Sequence, residues 1–212
     1  PEISELYADD RLEQAAMVYR AITKWVLFIS VPFILTAVAF PTYVVAFIYS
    51  GEFAMATAPF LILIAGFVTH ILNGPNHSTL TAFGDTRQIF LFDALTMVLN
   101  IVLNLLLIPM FGIVGAATAT ATAYLVRNTA MTWYLNDAYD IQPFSRWLLL
   151  PLAPVVLVAG ILRWIAPEPS LPLVIGYALV LVVTITFGYL SSGIEDADLV
   201  LSELIEENTG VD

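Results

Sequence analysis

The sequence predicts an all-α membrane protein, a bundle of about six transmembrane helices, and three observations carry that prediction. Of 212 residues, 59% are hydrophobic and 12% charged, whereas a soluble domain carries roughly 25% charged residues. The charges cluster, so polar surface is too scarce to cover the chain in water. The uncharged stretches between the clusters reach the roughly 20 apolar residues that a helix needs to cross a bilayer.

The chain has no cysteine, which excludes a disulfide frame, a thiol nucleophile and a cysteine-based metal site. A formal net charge of -11, with one lysine and six arginines, excludes the basic footprint of a nucleic-acid binder. Residue 1 is proline, with no signal-peptide pattern after it. The expectation is a segment cut from something longer.

Residues 1–24 read as a connector. Asp10-Arg11-Leu12-Glu13 has the form of a capping box with Asp10 as the cap. Leu12, Ala15, Ala16, Tyr19 and Ile22 then recur at helical spacing, which predicts an amphipathic helix leading into the first span. The six predicted spans, within a bundle of 25–190, are Trp25–Tyr49, Ala56–Phe83, Ile89–Ile108, Gly112–Leu135, Trp147–Ala166 and Leu171–Leu190. Ser50-Gly51-Glu52, Gly84-Asp85-Thr86-Arg87, Pro109-Met110-Phe111-Gly112 and Ala166-Pro167-Glu168-Pro169 punctuate them with turn chemistry. Such short connections predict helical hairpins with consecutive helices as antiparallel neighbours. Gly115, Ala119 and Ala123 give the fourth span small-xxx-small spacing, which permits close helix approach. Residues 191–212 form an acidic tail. Its weak stripe of Ile194, Ala197, Leu201, Leu204 and Ile205 suits a solvated segment, since negative charge disfavours anionic lipid.

Basic residues orient the bundle by the positive-inside rule. Arg11, Arg20, Lys24, Arg87, Arg127 and Arg146 fall on one side and Arg163 alone on the other. Both termini and the Arg87 loop are therefore expected to be cytoplasmic. The Glu52, Pro109 and Glu168 loops are expected outside. Trp25, Trp133, Trp147 and Trp164 fall near span ends, where indoles favour the interface.

Polar groups at membrane depth are costly and call for a purpose. The second span carries His70, Asn73, Asn76 and His77 around a Gly74-Pro75 break. The third carries Asp93, Asn100 and Asn104. At ~100° per residue, Asp93, Met97, Asn100 and Asn104 share a face of one helix, as do His70, Asn73, His77 and Thr81 of the other, while Asn76 points elsewhere. At ~1.5 Å per residue, His77 and Asp93 both lie roughly 8 Å from the cytoplasmic edge, and His70 and Asn100 roughly 18 Å. If the two faces meet, His77 opposes Asp93 and His70 opposes Asn100. These residues then either line a water-filled lumen, with a protonatable His77–Asp93 pair, or act as interhelical hydrogen-bond glue. The Gly74-Pro75 break, like Pro32 and Pro41 in the first span, has a structural reading as well as a binding-site one. No HExxH, GxSxG or P-loop pattern is present, so no enzyme, metal site or cofactor is expected. Asn76-His77-Ser78 matches a glycosylation sequon inside a span and reads as chance.

Four segments, Pro1 to Ala8, Ala65-Gly66, Leu80 to Arg87 and the run Asn100 to Thr120, taken in order resemble the C-terminal half of the polysaccharide, or lipid-linked oligosaccharide, flippases of the MOP exporter superfamily. Pro1 to Ala8 is similar to that family's mid-protein cytoplasmic connection. Ala65-Gly66 and Leu80-Thr-Ala-Phe-Gly84-Asp-Thr-Arg87 are similar to its following span and loop. The run Asn100-Ile-Val-Leu-Asn104-Leu-Leu-Leu-Ile-Pro109-Met-Phe-Gly112-Ile-Val-Gly115-Ala-Ala-Thr-Ala-Thr120 resembles its NxxLNxxLIPxxGxxGAAxAT pattern almost throughout. The resemblance implies one lobe of a two-lobe MOP/MATE-like transporter built around a central cavity. It implies flipping of a lipid-linked sugar, on an undecaprenyl or dolichol type carrier, by alternating access in the cytoplasmic membrane. The partners it implies are that substrate, membrane lipid and the N-terminal lobe of the same polypeptide. A pyrophosphate-linked substrate wants cationic cavity residues; this half offers few, with Arg127 the best candidate. Two alternatives stand beside it. A drug or metabolite exporter of the same superfamily would use Asp93 for a cationic substrate. A non-transporting membrane scaffold subunit would leave the polar stripe satisfied within a dry bundle.

Overall fold

The computed structural model describes residues 2–143, 152–165 and 168–192. The described residues form helices α1 (Glu2–Ala8), α2 (Leu12–Ala39), α3 (Pro41–Tyr49), α4 (Thr57–Leu72), α5 (Asn76–Ala82), α6 (Thr86–Phe111), α7 (Ile113–Tyr139), α8 (Leu152–Ile165) and α9 (Leu171–Ser192), with a 3-10 turn at Gly51–Ala56. No strand occurs among them, and the chain is an all-α membrane protein. Leu12–Ala39, Thr57–Ala82 and Thr86–Phe111 are long and apolar enough to cross a bilayer, and Ala153–Ile165 and Leu171–Phe187 are shorter apolar helices. Helix α7 has the length at 27 residues, but its threonines and asparagines lower its hydropathy. Arg146, Trp147 and the acidic tail beyond Ser192 lie outside the described residues.

The connector and the first span are one continuous helix, α2, rather than a cap followed by a span. The expected capping box at Asp10 does not form. Asp10 adopts φ +58° and ends α1 instead: its N–H donates to Tyr7 O at 3.2 Å and that of Arg11 to Leu6 O at 2.8 Å. This is the paired bonding of a Schellman ending, in which a left-handed residue satisfies the last carbonyls of a helix. Asp10 is consumed by the stop signal of α1, so Arg11 stands at the N-cap of α2 without a side-chain bond.

Helix α2 passes through Pro32 and stops at Phe40, where Pro41 starts α3. The break frees the Ala39 carbonyl, and Arg163 of α8 donates Nε to it at 3.0 Å. Its guanidinium also sits 5.4 Å above the centre of the Phe40 ring. Arg163, the one basic residue on the minority side of the charge count, thus caps a helix end. Here a cation also complements the negative end of the helix dipole.

Helix α7 lies between α4 and α6. It runs antiparallel to α6, pairing Thr120 with Asn100 and Arg127 with Asp93. It runs parallel to α4, placing Ala121 at Gly66 and Asn128 at His70. Small residues allow both approaches: a Cβ on Gly66 would stand 2.7 Å from Ala121 Cα, and one on Gly115 2.2 Å from Leu107 O. Two apolar clusters flank this trio. One gathers Leu6, Ala15, Tyr19, Leu80, Met131 and Leu135 from α1, α2, α5 and α7. The other gathers Leu27, Phe28, Ile71, Val155, Tyr177 and Leu181 from α2, α4, α8 and α9. Helix α2 contributes to both and holds the two halves together.

Candidate functional site: a polar cleft at the edge of α5, α6 and α7

Asp93 and Arg127 form an ion pair between α6 and α7. Arg127 directs Nη2 and Nε at one carboxylate oxygen, Oδ1, at 2.6 and 2.7 Å. The other oxygen, Oδ2, lies 3.9 Å from His77 Nε2. The Arg127 side chain is 16% exposed and that of Asp93 46%, so the cation is packed and the carboxylate is the open partner. Along the same two helices, Asn100 Nδ2 reaches Thr120 Oγ1 at 3.5 Å, and Asn104 Nδ2 donates to Asn100 Oδ1 at 2.9 Å. A groove of about 310 Å³ lies before them, lined by Asp93, Met97, Asn100, Thr120, Tyr124 and Arg127.

His77 therefore stands beside Asp93, while His70 does not meet Asn100. Its Nδ1 lies 3.2 Å from Asn128 Oδ1 on α7. The same oxygen accepts from Asn76 Nδ2 at 3.5 Å, an arrangement that places the imidazole proton on Nδ1. The intervening α7 explains the difference, since it separates α4 from the middle of α6. The Gly74-Pro75 break resets the angular count as well. Asn73 turns inward and donates Nδ2 to Thr69 O at 2.6 Å. Asn76 is fully buried against Asn128, which removes it as a glycosylation acceptor.

The break is held from α2. Gly74 adopts φ +69°, and a Cβ there would stand 2.2 Å from Thr23 Oγ1. Tyr19 donates its hydroxyl to the Asn73 carbonyl that the break leaves unpaired. A second cavity, of about 330 Å³, opens between α2, α4 and α5, with Thr23, Ser30, His70, His77 and Ser78 as its polar lining. His77 lines this cavity and stands 3.9 Å from Asp93 of the groove. The predicted residues thus divide: Asp93, Asn100, Asn104 and Arg127 line or flank the groove, His70 and His77 the cavity, and Asn73 supports the break.

One anchor has no signal in the sequence. Asp85, in the loop before α6, accepts Tyr134 Oη at 3.1 Å and Tyr139 Oη at 2.5 Å on its Oδ2. Tyr7 stacks on Phe83 with ring centres 4.3 Å apart and meets Tyr139 edge-on. Burial, and then the adjacent Asp85 carboxylate, push the Tyr139 hydroxyl above the ordinary phenol range. The loop that aims α6 is thereby tied to α1 and to the end of α7.

A family profile described as "MurJ: Lipid II flippase MurJ" matches residues 1–185. The chain is similar to the uncharacterized membrane protein MJ1068 of Methanocaldococcus jannaschii, 24% identical over 160 residues, which is 73% of this chain and 31% of that protein. It is also similar to the probable low-salt glycan biosynthesis flippase Agl15 of Haloferax volcanii, 26% identical over 146 residues, or 67% of this chain and 30% of that one. The chain spans about a third of the length of these relatives. No solved structure matches it.

Proposed function

Since the chain belongs to the family of the lipid II flippase MurJ, we propose that it is the C-terminal lobe of a flippase for lipid-linked oligosaccharide or polysaccharide precursors. The edge of α5, α6 and α7 is one wall of its substrate path. The observation that carries this reading is the half-exposed Asp93 and His77 within predicted spans. A charged side chain within a span is costly against acyl chains, so such residues face a bundle interior or water. The opposite face of α6 presents Leu91, Leu95, Val98, Val102 and Leu105 to its surroundings, and that face suits lipid.

The groove has the chemistry for a sugar pyrophosphate. The planar fork of Arg127 matches phosphate oxygens in pairs. Asn100 and Thr120 offer amide and hydroxyl partners to sugar hydroxyls. The other lobe of the polypeptide supplies the facing wall and further cationic groups, and rocking of the lobes exposes the path to each side in turn. The carrier is a polyprenyl chain of the undecaprenyl or dolichol type, in the cytoplasmic membrane, with the α1 end of the bundle cytoplasmic. The drug-exporter alternative would place a cation on Asp93, whose carboxylate is paired with Arg127.

The test is transport. The complete protein, reconstituted in liposomes with a fluorescent polyprenyl-pyrophosphate oligosaccharide, is expected to move the label between leaflets, as read by bleaching from outside. Arg127→Gln is expected to slow that movement at least about tenfold, the size of losing one charge-assisted bond to phosphate. Equal rates in liposomes with and without the protein would rule the function out.

A further inference from the structure

The Arg127 fork is engaged within the protein, with Nη2 and Nε both ending on Asp93 Oδ1. The remaining oxygen of that carboxylate already faces His77. We propose that Asp93 is a built-in competitor of the substrate: it occupies the Arg127 fork when the groove is empty and passes to His77 when a pyrophosphate diester takes its place. This rests on the reading of Arg127 as a phosphate-binding group. It adds that anion binding and protonation of the site are linked.

The geometry suits an exchange. Arg127 is the packed partner and Asp93 the exposed one, so the carboxylate is the group that can swing with least loss of contact. Its destination is 3.9 Å away, within a side-chain rotation. No helix has to move. The environment of His77 limits what else can hold its charge. Helix α6 offers Asp93 and α7 offers Arg127 beside it, while α4 brings His70 into the same cavity. Helix α2 lines that cavity with Thr23 and Ser30, and α1 meets α5 and its end through Ser4 and Tyr7. Among these, Asp93 is the one carboxylate within ion-pair reach of His77. An imidazole changes charge between about pH 5 and 8, and a charged imidazole holds a displaced carboxylate better than a neutral one. By linkage, whatever favours the His77–Asp93 pairing tightens anion binding by the same factor in which anion binding favours protonation.

The test uses the complete protein in lipid nanodiscs and the symmetric dimethyl diester of pyrophosphate. This probe has the linkage of a sugar-pyrophosphate lipid and no group titrating near neutrality. Its affinity is measured by calorimetry from pH 8 to pH 6. Wild type is expected to bind more tightly as pH falls. Asp93→Asn is expected to bind about two- to fivefold more tightly than wild type at pH 8, the gain from removing a part-exposed internal ion pair. Both Asp93→Asn and His77→Gln are expected to lose the pH dependence. Weaker binding by Asp93→Asn, with its melting temperature preserved, would overturn the exchange and leave the phosphate reading of Arg127 standing. So would a pH profile that survives His77→Gln. No binding by wild type at any pH would remove both. Nanodiscs of zwitterionic and of anionic phospholipid separate the sources of phosphate: loss of probe binding in the anionic discs would assign the fork to a lipid head group and overturn the substrate assignment.

Discussion

Asp85 joins two tyrosines of α7 to the loop before α6, and its partners set a pH limit on the fold. Tyr139 is held protonated by burial and by the neighbouring carboxylate, so its folded-state titration lies above that of the unfolded chain. A group raised in this way contributes its stability in full below the ordinary phenol range. The contribution is lost as pH climbs from about 10 through the folded-state value. Thermal unfolding of the purified protein is therefore expected to fall steeply above about pH 10, and Tyr139→Phe is expected to flatten that fall. At neutral pH the same substitution removes one bond to a carboxylate and costs about 1 kcal/mol. An alkaline limb unchanged by Tyr139→Phe would refute this account. None of it was legible in the sequence, where Gly84-Asp85-Thr86 reads as turn chemistry. The tyrosines that give Asp85 its role lie 49 and 54 residues away, and local spacing carries no information about them.

Helix breaks were legible as breaks, but their supports were not. Gly74-Pro75 interrupts the second span as the sequence implies, yet the residues that complete it, Tyr19 and Thr23, belong to α2. Gly74 and Gly84 offer a matched comparison. Both have positive φ, +69° and +78°, but a Cβ at Gly84 meets nothing within 4 Å while one at Gly74 meets Thr23. Alanine at Gly84 is expected to cost about 1 kcal/mol in backbone strain alone. Alanine at Gly74 is expected to cost about 2–4 kcal/mol, as overpacking against α2 adds to the same strain. The difference between their melting temperatures measures how firmly α2 holds the break, and equal losses would mean that it does not. The pairing of helices shows the same limit. Short connections predict neighbours in chain order, and α6 and α7 obey. Gly115, Ala119 and Ala123 of α7 were read as close-packing positions, and Gly115 does meet α6; α4 is met at Ala121, outside that stripe, and this parallel contact is invisible to a hairpin rule. His70 meets Asn128 rather than Asn100 for that reason.

For the molecule as a whole, composition pointed to a membrane protein and the length of the uncharged stretches to helices, because so few charges on so many apolar residues leave no other solvent to suit them. The long run from Asn100 to Thr120, and the ordered segments before it, resembled lipid-linked sugar flippases, and the family match over residues 1–185 is to the family of the lipid II flippase MurJ. Sequence put His77 opposite Asp93 if the two faces met, and the structure brings them to 3.9 Å, close to the loop that joins their helices. Sequence missed that Arg127 takes the carboxylate, because Arg127 lies on a third helix whose register depends on packing. The central claim is that the polar edge of α5, α6 and α7 faces water and the leucine face of α6 faces lipid. Cysteine accessibility tests this directly, in the complete protein made cysteine-free, within membranes, using a water-soluble thiol reagent. Thiols at positions 77, 97, 100 and 124 are expected to react and those at 91, 95, 98 and 102 to resist. Protection at 97 and 100, or labelling that ignores the two faces of α6, would contradict the account and leave the polar residues as interhelical packing.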